Sequence, residues 1–386
     1  MASALATLLG GALHLAVLPK LRPKRLIGDE SEYVAADLPN VPWIRVPGQR
    51  WLIQGALRFT THPAWLNIAL SILTIAILAG YCALHMGVPA AIFVVIATLF
   101  SVERIVLSHH LWPDIGLGLV LVCVSLLAAS NLASAPVLVA VLAAMALTLR
   151  IEAAAFCVVA SLSPVLTSTG TGWVAIVPAL ICATAVVALS VRAKLLHGTF
   201  WFDTTVPFNC RVARKSVEMP DAPLNQVMRS VVEGRPTLVQ PGRAMAHLPV
   251  LLSRIRTYIG AETFIRQSLL RDNRAEYGDA NWLDANHLIR LNLKYGFTFL
   301  VVMFLIFSPL MPISIWVTFS AVVILYTAVQ TRSRYRMVVL PTMVLGIAHG
   351  LQTLIEKPDL NAMWPGFIAT LLALVILKLA PERREF

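Results

Sequence analysis

Apolar residues run along this chain in long blocks separated by short polar turns. The blocks cover 3–19, 65–84, 86–101, 115–130, 135–149, 153–166, 173–191, 295–311, 313–329, 337–355 and 363–380. Most reach the length that carries an α-helix across a hydrocarbon core of ~30 Å. The blocks at 135–149 and 153–166 are short and read as a hairpin that does not fully cross. Pro309 and Pro312 mark the turn between the eighth and ninth, because proline ends a helix by removing a donor and clashing with the preceding turn. The predicted fold class is therefore an all-α polytopic membrane protein with about 11 transmembrane helices, within bounds of about 10 to 12, and with amphipathic surface helices in its loops.

Two long polar stretches interrupt the pattern, 20–64 and about 192–294. They divide the chain into an N-terminal transmembrane module (1–191, with a first loop at 20–64), an extramembrane loop (192–294) and C-terminal transmembrane helices (295–386). Within the second stretch, Leu251, Leu252, Ile255, Ile259 and Phe264 recur at near-helical spacing among Arg254, Arg256 and Arg266. Such a helix suits a membrane surface, with arginines reaching to head groups, and equally suits packing against the protein. The first apolar block has no basic residue before it; its basic cluster follows, which reads as a retained first helix rather than a cleaved signal.

Composition supports the pattern. Of 386 residues 58% are hydrophobic and 13% charged, with a mean hydropathy of +0.76. Soluble domains carry about a quarter charged residues. The net charge of +11 points, in a membrane chain, to lipid head groups or phosphates rather than nucleic acid. Cys82, Cys123, Cys157 and Cys182 lie in apolar runs and Cys210 in a polar loop, a spacing that suggests neither a disulfide nor a metal centre.

Counting crossings sorts the connectors. The loop 20–64, the turns at 102–114, 149–152 and 330–336 and the long loop fall on one face. The opposite connectors hold little beyond His85, Glu356, Lys357 and Asp359. Charge at a membrane is costly, so its concentration on one face marks a candidate site.

Four constellations on that face can carry chemistry. Gly28-Asp29-Glu30-Ser31-Glu32-Tyr33 follows the first helix, with Lys20, Arg22, Lys24 and Arg25 upstream. Paired carboxylates can divide labour between taking a proton and positioning a group. Glu103-Arg104 precedes Ser108-His109-His110-Leu111-Trp112-Pro113-Asp114. Adjacent histidines on a helix point apart, so this pair alone does not form a chelate. Arg150-Ile151-Glu152 joins two short blocks, as a salt bridge or as site residues. Arg332-Ser333-Arg334-Tyr335-Arg336 leads into a helix containing Pro341, and guanidinium groups there would clamp phosphate bidentately.

In their order and spacing these residues resemble the GT-C superfamily of membrane glycosyltransferases, in the branch of protein mannosyltransferases and the lipid A aminoarabinose transferase. Asp29, Glu30 and Tyr33 match the acidic pair after the first helix. Arg104, Ser108 and Asp114-Ile-Gly-Leu117 match the acidic residue opening the fourth helix, with Gly116 in place of the usual proline. Arg150 and Glu152 match the later Arg-Glu step without its proline, and Arg334-Tyr335-Arg336 with Pro341 matches a late Arg-Tyr element loosely. The chain is short for that family.

The resemblance implies inverting sugar transfer from a polyprenyl-phosphate donor to a surface glycan, lipid or protein acceptor. Asp29 would be the general base; Glu30, Glu103 or Asp114 would position acceptor or cation. Arg104, Arg150, Arg334 and Arg336, with Tyr335, would hold the donor phosphate. His109, His110, Tyr33 and Glu152 would contact the acceptor or support the site. A divalent cation is the one cofactor these acids suggest, with no ligand set assigned. Small size and alanine-rich helices suggest a bacterial inner-membrane protein, and the resemblance then implies a site on the periplasmic face. The positive-inside rule pulls the other way, since nearly every Lys and Arg falls on the catalytic face. Two further readings stay open: a cytoplasm-facing enzyme moving a phosphosugar onto a lipid phosphate, and a lipid or sugar transporter.

Overall fold

The computed structural model describes residues 1–21, 26, 30–35, 44–130, 132–154, 156–158, 176–204, 285–329 and 333–379, with isolated positions between 208 and 259. Among the described residues all regular structure is helical. In chain order the helices are α1 (Ala2–Leu21), α2 (Glu30–Val34), α3 (Gly48–Ala56), α4 (Ala64–His85), α5 (Val88–Leu99), α6 (Val102–Ser108), α7 (Asp114–Ala128) and α8 (Ala135–Leu149). They continue with α9 (Val177–His197), α10 (His287–Leu310), α11 (Ile313–Val329), α12 (Arg336–Glu356) and α13 (Trp364–Leu379).

Ten of the eleven predicted apolar blocks coincide with these helices; most of the block at 153–166 lies outside the described residues. The count of eleven crossings is not carried by their lengths. Four helices, α4, α9, α10 and α12, are long and apolar enough to cross a membrane, or five if the bent pair α5–α6 is one span. The remaining apolar helices are short: α7 and α8 have 15 residues each, which at ~1.5 Å per residue falls short of a ~30 Å core. This is a helical membrane protein whose long helices are supplemented by shorter ones. Its outer surface shows Leu84, Leu195, Ile324 and Leu371 exposed, as a lipid-facing wall does.

Two local departures from straight helix shape the interior. The predicted block at 86–101 ends where α5 meets α6 at 64°. Ser101 caps α6 by accepting from the Arg104 amide, and every residue of α6 from Glu103 to Ser108 is buried. Near Gly296, α10 contains a single π turn over Asn292–Gly296; the Asn292 side chain accepts from the Val102 amide at 3.2 Å, tying it to the start of α6.

α7 and α12 form the centre. α12 packs against α5, α7, α10 and α11, and its residues from Arg336 to Ala348 are buried. Pro341 sits inside it and removes the amide that would bond the Met337 carbonyl. That carbonyl faces Gly118 of α7: a Cβ there would lie 2.9 Å from it. Glycine is required at this position because two backbones meet without room for a side chain.

Candidate functional site

The residues that the sequence singles out converge at one end of the α7–α12 pair. α7 begins with Asp114, and its carboxylate is buried. Arg150, just past the end of α8, donates from Nη1 to Asp114 Oδ1 at 3.1 Å and from Nη2 to the Tyr335 hydroxyl. Arg334 brings Nε to 3.8 Å from Asp114 Oδ2 and lays its guanidinium 4.7 Å from the centre of the Trp112 ring. Arg336 lies 5.1 Å from the centre of the Phe297 ring. Cations over aromatic faces keep part of their electrostatic stabilisation when water is removed.

Arg334, Tyr335 and Arg336 are each almost fully buried, so this stretch is an interior element rather than a surface clamp. Arg150 pairs with Asp114; the Glu152 side chain lies outside the described residues, and its backbone forms a 3-10 turn with its neighbours. Asp114 has both oxygens turned to arginines. It holds the cations in place.

Glu30 opens α2 and is buried. Its Oε1 accepts from the Leu111 amide at 2.7 Å and lies 3.0 Å from His110 Nδ1. His110 stacks on Trp112, with centroids 4.4 Å apart and 7° between planes. Asn67 donates to the carbonyls of His110 and Trp112 at 2.6 and 2.8 Å, and Gln49 to that of Leu111 at 2.6 Å. Glu30 therefore locks the 110–112 segment rather than facing open space. Tyr33 is buried on the same short helix. The partner of Glu30 in the acidic pair, Asp29, lies outside the described residues, as do Arg332 and the basic side chains of Lys20, Arg22, Lys24 and Arg25.

His109 and His110 point apart, as adjacent residues on a helix end should. His109 turns to His14 of α1, with Nε2 3.3 Å from His14 Nδ1. Burial first, then the neighbouring His14 and His110, lower its pKa from 6.5 to about 3, so the ring is neutral. Glu103 is buried in the first turn of α6 and, with Asp114 and Arg336, acts electrostatically on Tyr258.

Arg104 differs from the other arginines. It is 1% exposed, and among the described residues Nε, Nη1 and Nη2 are all buried without a hydrogen-bond partner. Its Nη1 would lie 3.6 Å from a Cβ on Gly118, one helical turn or ~6 Å along α7 from Asp114. It is close enough to His14 to act on that ring's charge.

The long loop also reaches the site. Tyr258 is buried, and its hydroxyl donates to the Tyr335 carbonyl at 3.4 Å. Burial pushes its phenol pKa up; Arg336 opposes that, while Asp114 and Glu103 add to it. Thr298 donates to the Ile259 carbonyl at 2.7 Å. The described part of the predicted amphipathic segment is thus packed on the protein.

His14, Asn67, Gln49 and Tyr258 escape sequence reasoning. His14 stands in an apolar run where one histidine carries no pattern, and the two amides act through backbone carbonyls. Among the described residues no group of three or more His, Cys, Asp or Glu side chains is placed to hold a metal ion. No protein-family profile, curated protein or solved structure matches this chain.

Proposed function

We propose that this chain transfers a sugar from a polyprenyl-phosphate-linked donor to a membrane or envelope acceptor. The observation that carries the reading is Arg104, a buried guanidinium with no hydrogen-bond partner among the described residues on any of its three nitrogens. An isolated charge taken out of water costs several kcal/mol, so such a residue is retained where an anion arrives to meet it.

Arg104, Arg150, Arg334 and Arg336 stand against Glu30, Glu103 and Asp114. The four arginines outnumber these three acids by one. A phosphodiester joining a polyprenol to a sugar carries one negative charge. The arginines supply fixed donors for the phosphate that departs when the glycosidic bond breaks, and Tyr335 holds Arg150 in register. The acceptor hydroxyl needs a base; Asp29 is assigned that role, adjacent to the buried Glu30. A periplasmic active face in a bacterial inner membrane remains part of the proposal. Four of the arginines that strain the positive-inside rule are site residues rather than loop charges, which eases that strain.

Purified protein in lipid nanodiscs, given a panel of polyprenyl-phosphate sugars, is expected to release polyprenyl phosphate with at least one of them, and Asp29→Asn to abolish release while the donor still binds. Protein that binds no polyprenyl phosphate and releases none from any donor would overturn the reading.

A further inference from the structure

The end of α9 and the short helix α3 carry basic and aromatic side chains that the arginine cluster does not use. α9 is one of the four helices long and apolar enough to cross a membrane, and it ends at His197. Arg192 and Lys194 lie within ~8 Å of that end, where a spanning helix leaves hydrocarbon for head groups and long basic side chains reach outward.

α3 is fixed beside it from two directions. Gln54 donates to the carbonyls of Tyr33, Val34 and Ala35 at 2.8–3.1 Å, and Arg50 donates to that of Ala35 at 3.0 Å, so α3 is tied to the end of α2. The stretch leading into α3 is tied to the residues after α9: the Ile44 amide donates to the Thr204 hydroxyl at 2.8 Å and the Val46 amide to the Asp203 carboxylate at 3.3 Å. Gln49 and Ile53 face the protein and are buried, whereas Trp51, Leu52 and, just past the helix, Phe59 are exposed. An amphipathic helix with its apolar face outward, on a membrane protein, buries that face at the boundary of head groups and acyl chains.

The two elements meet through cations and rings. The Arg192 guanidinium lies 5.8 Å from the centre of the Trp51 ring, and the Lys194 ammonium 5.3 Å from that of Phe200. Trp201 is exposed next to Phe200, and exposed tryptophan marks head-group depth. Arg50 and Arg192 are near enough for their charges to repel. Neither α3 nor α9 carries an acid, and Asp203, next along the chain, turns its carboxylate to the Val46 amide. The surplus is positive and sits on an apolar shelf, which complements an anion that carries acyl chains. We propose that α3 and the end of α9 seat an anionic phospholipid, with Arg192 and Lys194 on its head-group phosphate and Trp51, Phe59 and Trp201 along its glycerol and upper acyl chains. A free phosphate would leave the aromatic face uncovered, and a zwitterionic lipid would bring a second cation to a surface that is already positive. The seat stands apart from Arg104 and is independent of the reaction assigned to it.

The test is tryptophan quenching by brominated lipids in the full-length protein, reconstituted in phosphatidylcholine vesicles. The probes are brominated phosphatidylglycerol and brominated phosphatidylcholine at the same low mole fraction. Phosphatidylglycerol is expected to quench more strongly, and the difference to vanish when Trp51→Phe and Trp201→Phe are combined, since these remove the reporters and keep the rings. Arg192→Gln with Lys194→Gln should lower the phosphatidylglycerol preference at least about fivefold, the equivalent of one cation at an anionic surface. Arg192→Lys should keep the preference, and unchanged quenching by brominated phosphatidylcholine in the glutamine variant guards against a merely structural loss. Lys357→Gln, at the far end of α12, should leave the preference intact. Equal quenching by the two lipids, a difference that survives loss of both tryptophans, or a preference unmoved in the glutamine variant overturns the proposal. So does an equal loss in Lys357→Gln, which would make net charge the cause, or displacement by inorganic phosphate, which would make the seat a free-anion site.

Discussion

Replacing Arg104 by methionine separates the stability of the resting protein from its ability to bind. Methionine fills the same elongated space without a charge. Three unpaired guanidinium nitrogens vanish from a site with no solvent contact. Replacing buried ionic groups by apolar ones stabilises proteins by ~1–4 kcal/mol where the charge is poorly compensated. Unfolding entropy scales as ~2.1 cal/mol/K per residue, and over 386 residues that gives a rise in Tm of ~1–5 °C. The same substitution removes a charged hydrogen-bond donor of ~1.5–3 kcal/mol from any phosphate in the site, so polyprenyl phosphate should bind ~10- to 150-fold more weakly. Thermal unfolding in detergent and titration in nanodiscs read the two effects on one preparation. A lower Tm with unchanged affinity would refute the reasoning, because it would make Arg104 a structural residue that the fold needs charged.

Other perturbations test the scaffold around it. Glu30→Ala leaves the Leu111 amide and His110 Nδ1 without their acceptor, and should cost ~2–5 kcal/mol; Glu30→Gln should cost less than half of that, and equal losses would contradict the proposed lock. Gly118→Ala brings a methyl group to 2.9 Å from the Met337 carbonyl; it should cost ~1–3 kcal/mol, lower Tm, and weaken donor binding through Arg104. The depressed pKa of His109 sets a sign for pH. Between 6.5 and about 3 the unfolded chain binds a proton at this ring that the folded chain does not, so stability falls as pH is lowered, by up to ~1.4 kcal/mol per unit. His109→Asn should therefore flatten the decline of Tm between pH 7 and 5, and a parallel decline in both proteins would remove His109 as its cause.

Helix positions were largely legible in the sequence because apolar blocks bounded by polar turns are a one-dimensional signal. The number of crossings was not. A block such as 86–101 continues in hydropathy through Phe100 and Ser101, where the chain turns by 64°. Hydropathy does not register a change of direction, and Ser101 as a cap is visible only once α6 is known to start there. Clustering of Arg104, Asp114, Arg150, Arg334, Tyr335 and Arg336 was legible as order along the chain, since connectors on one face must lie near one another. Who pairs with whom was not. Arg150 reaches across to Asp114 and Tyr335, 36 and 185 positions away. Glu30 spends its carboxylate on a backbone amide, which leaves no mark in residue types. His14 acquires meaning only from His109, 95 positions later.

The dependence of Asp114 on Arg334 has a consequence for biosynthesis. The carboxylate emerges at the start of α7, while one of the guanidinium groups beside it comes from the turn before α12, more than two hundred residues later in the chain. Until that last third has been made and inserted, α6 and α7 hold Glu103, Arg104 and Asp114 in a half-built bundle whose central helix is missing. Chains that stall in the long loop carry these charges next to lipid with no α12 to cover them, a state that membrane proteases can recognise. The order of synthesis makes the arginine-lined end of the molecule the last to mature, and ties the survival of each copy to completion of that cluster.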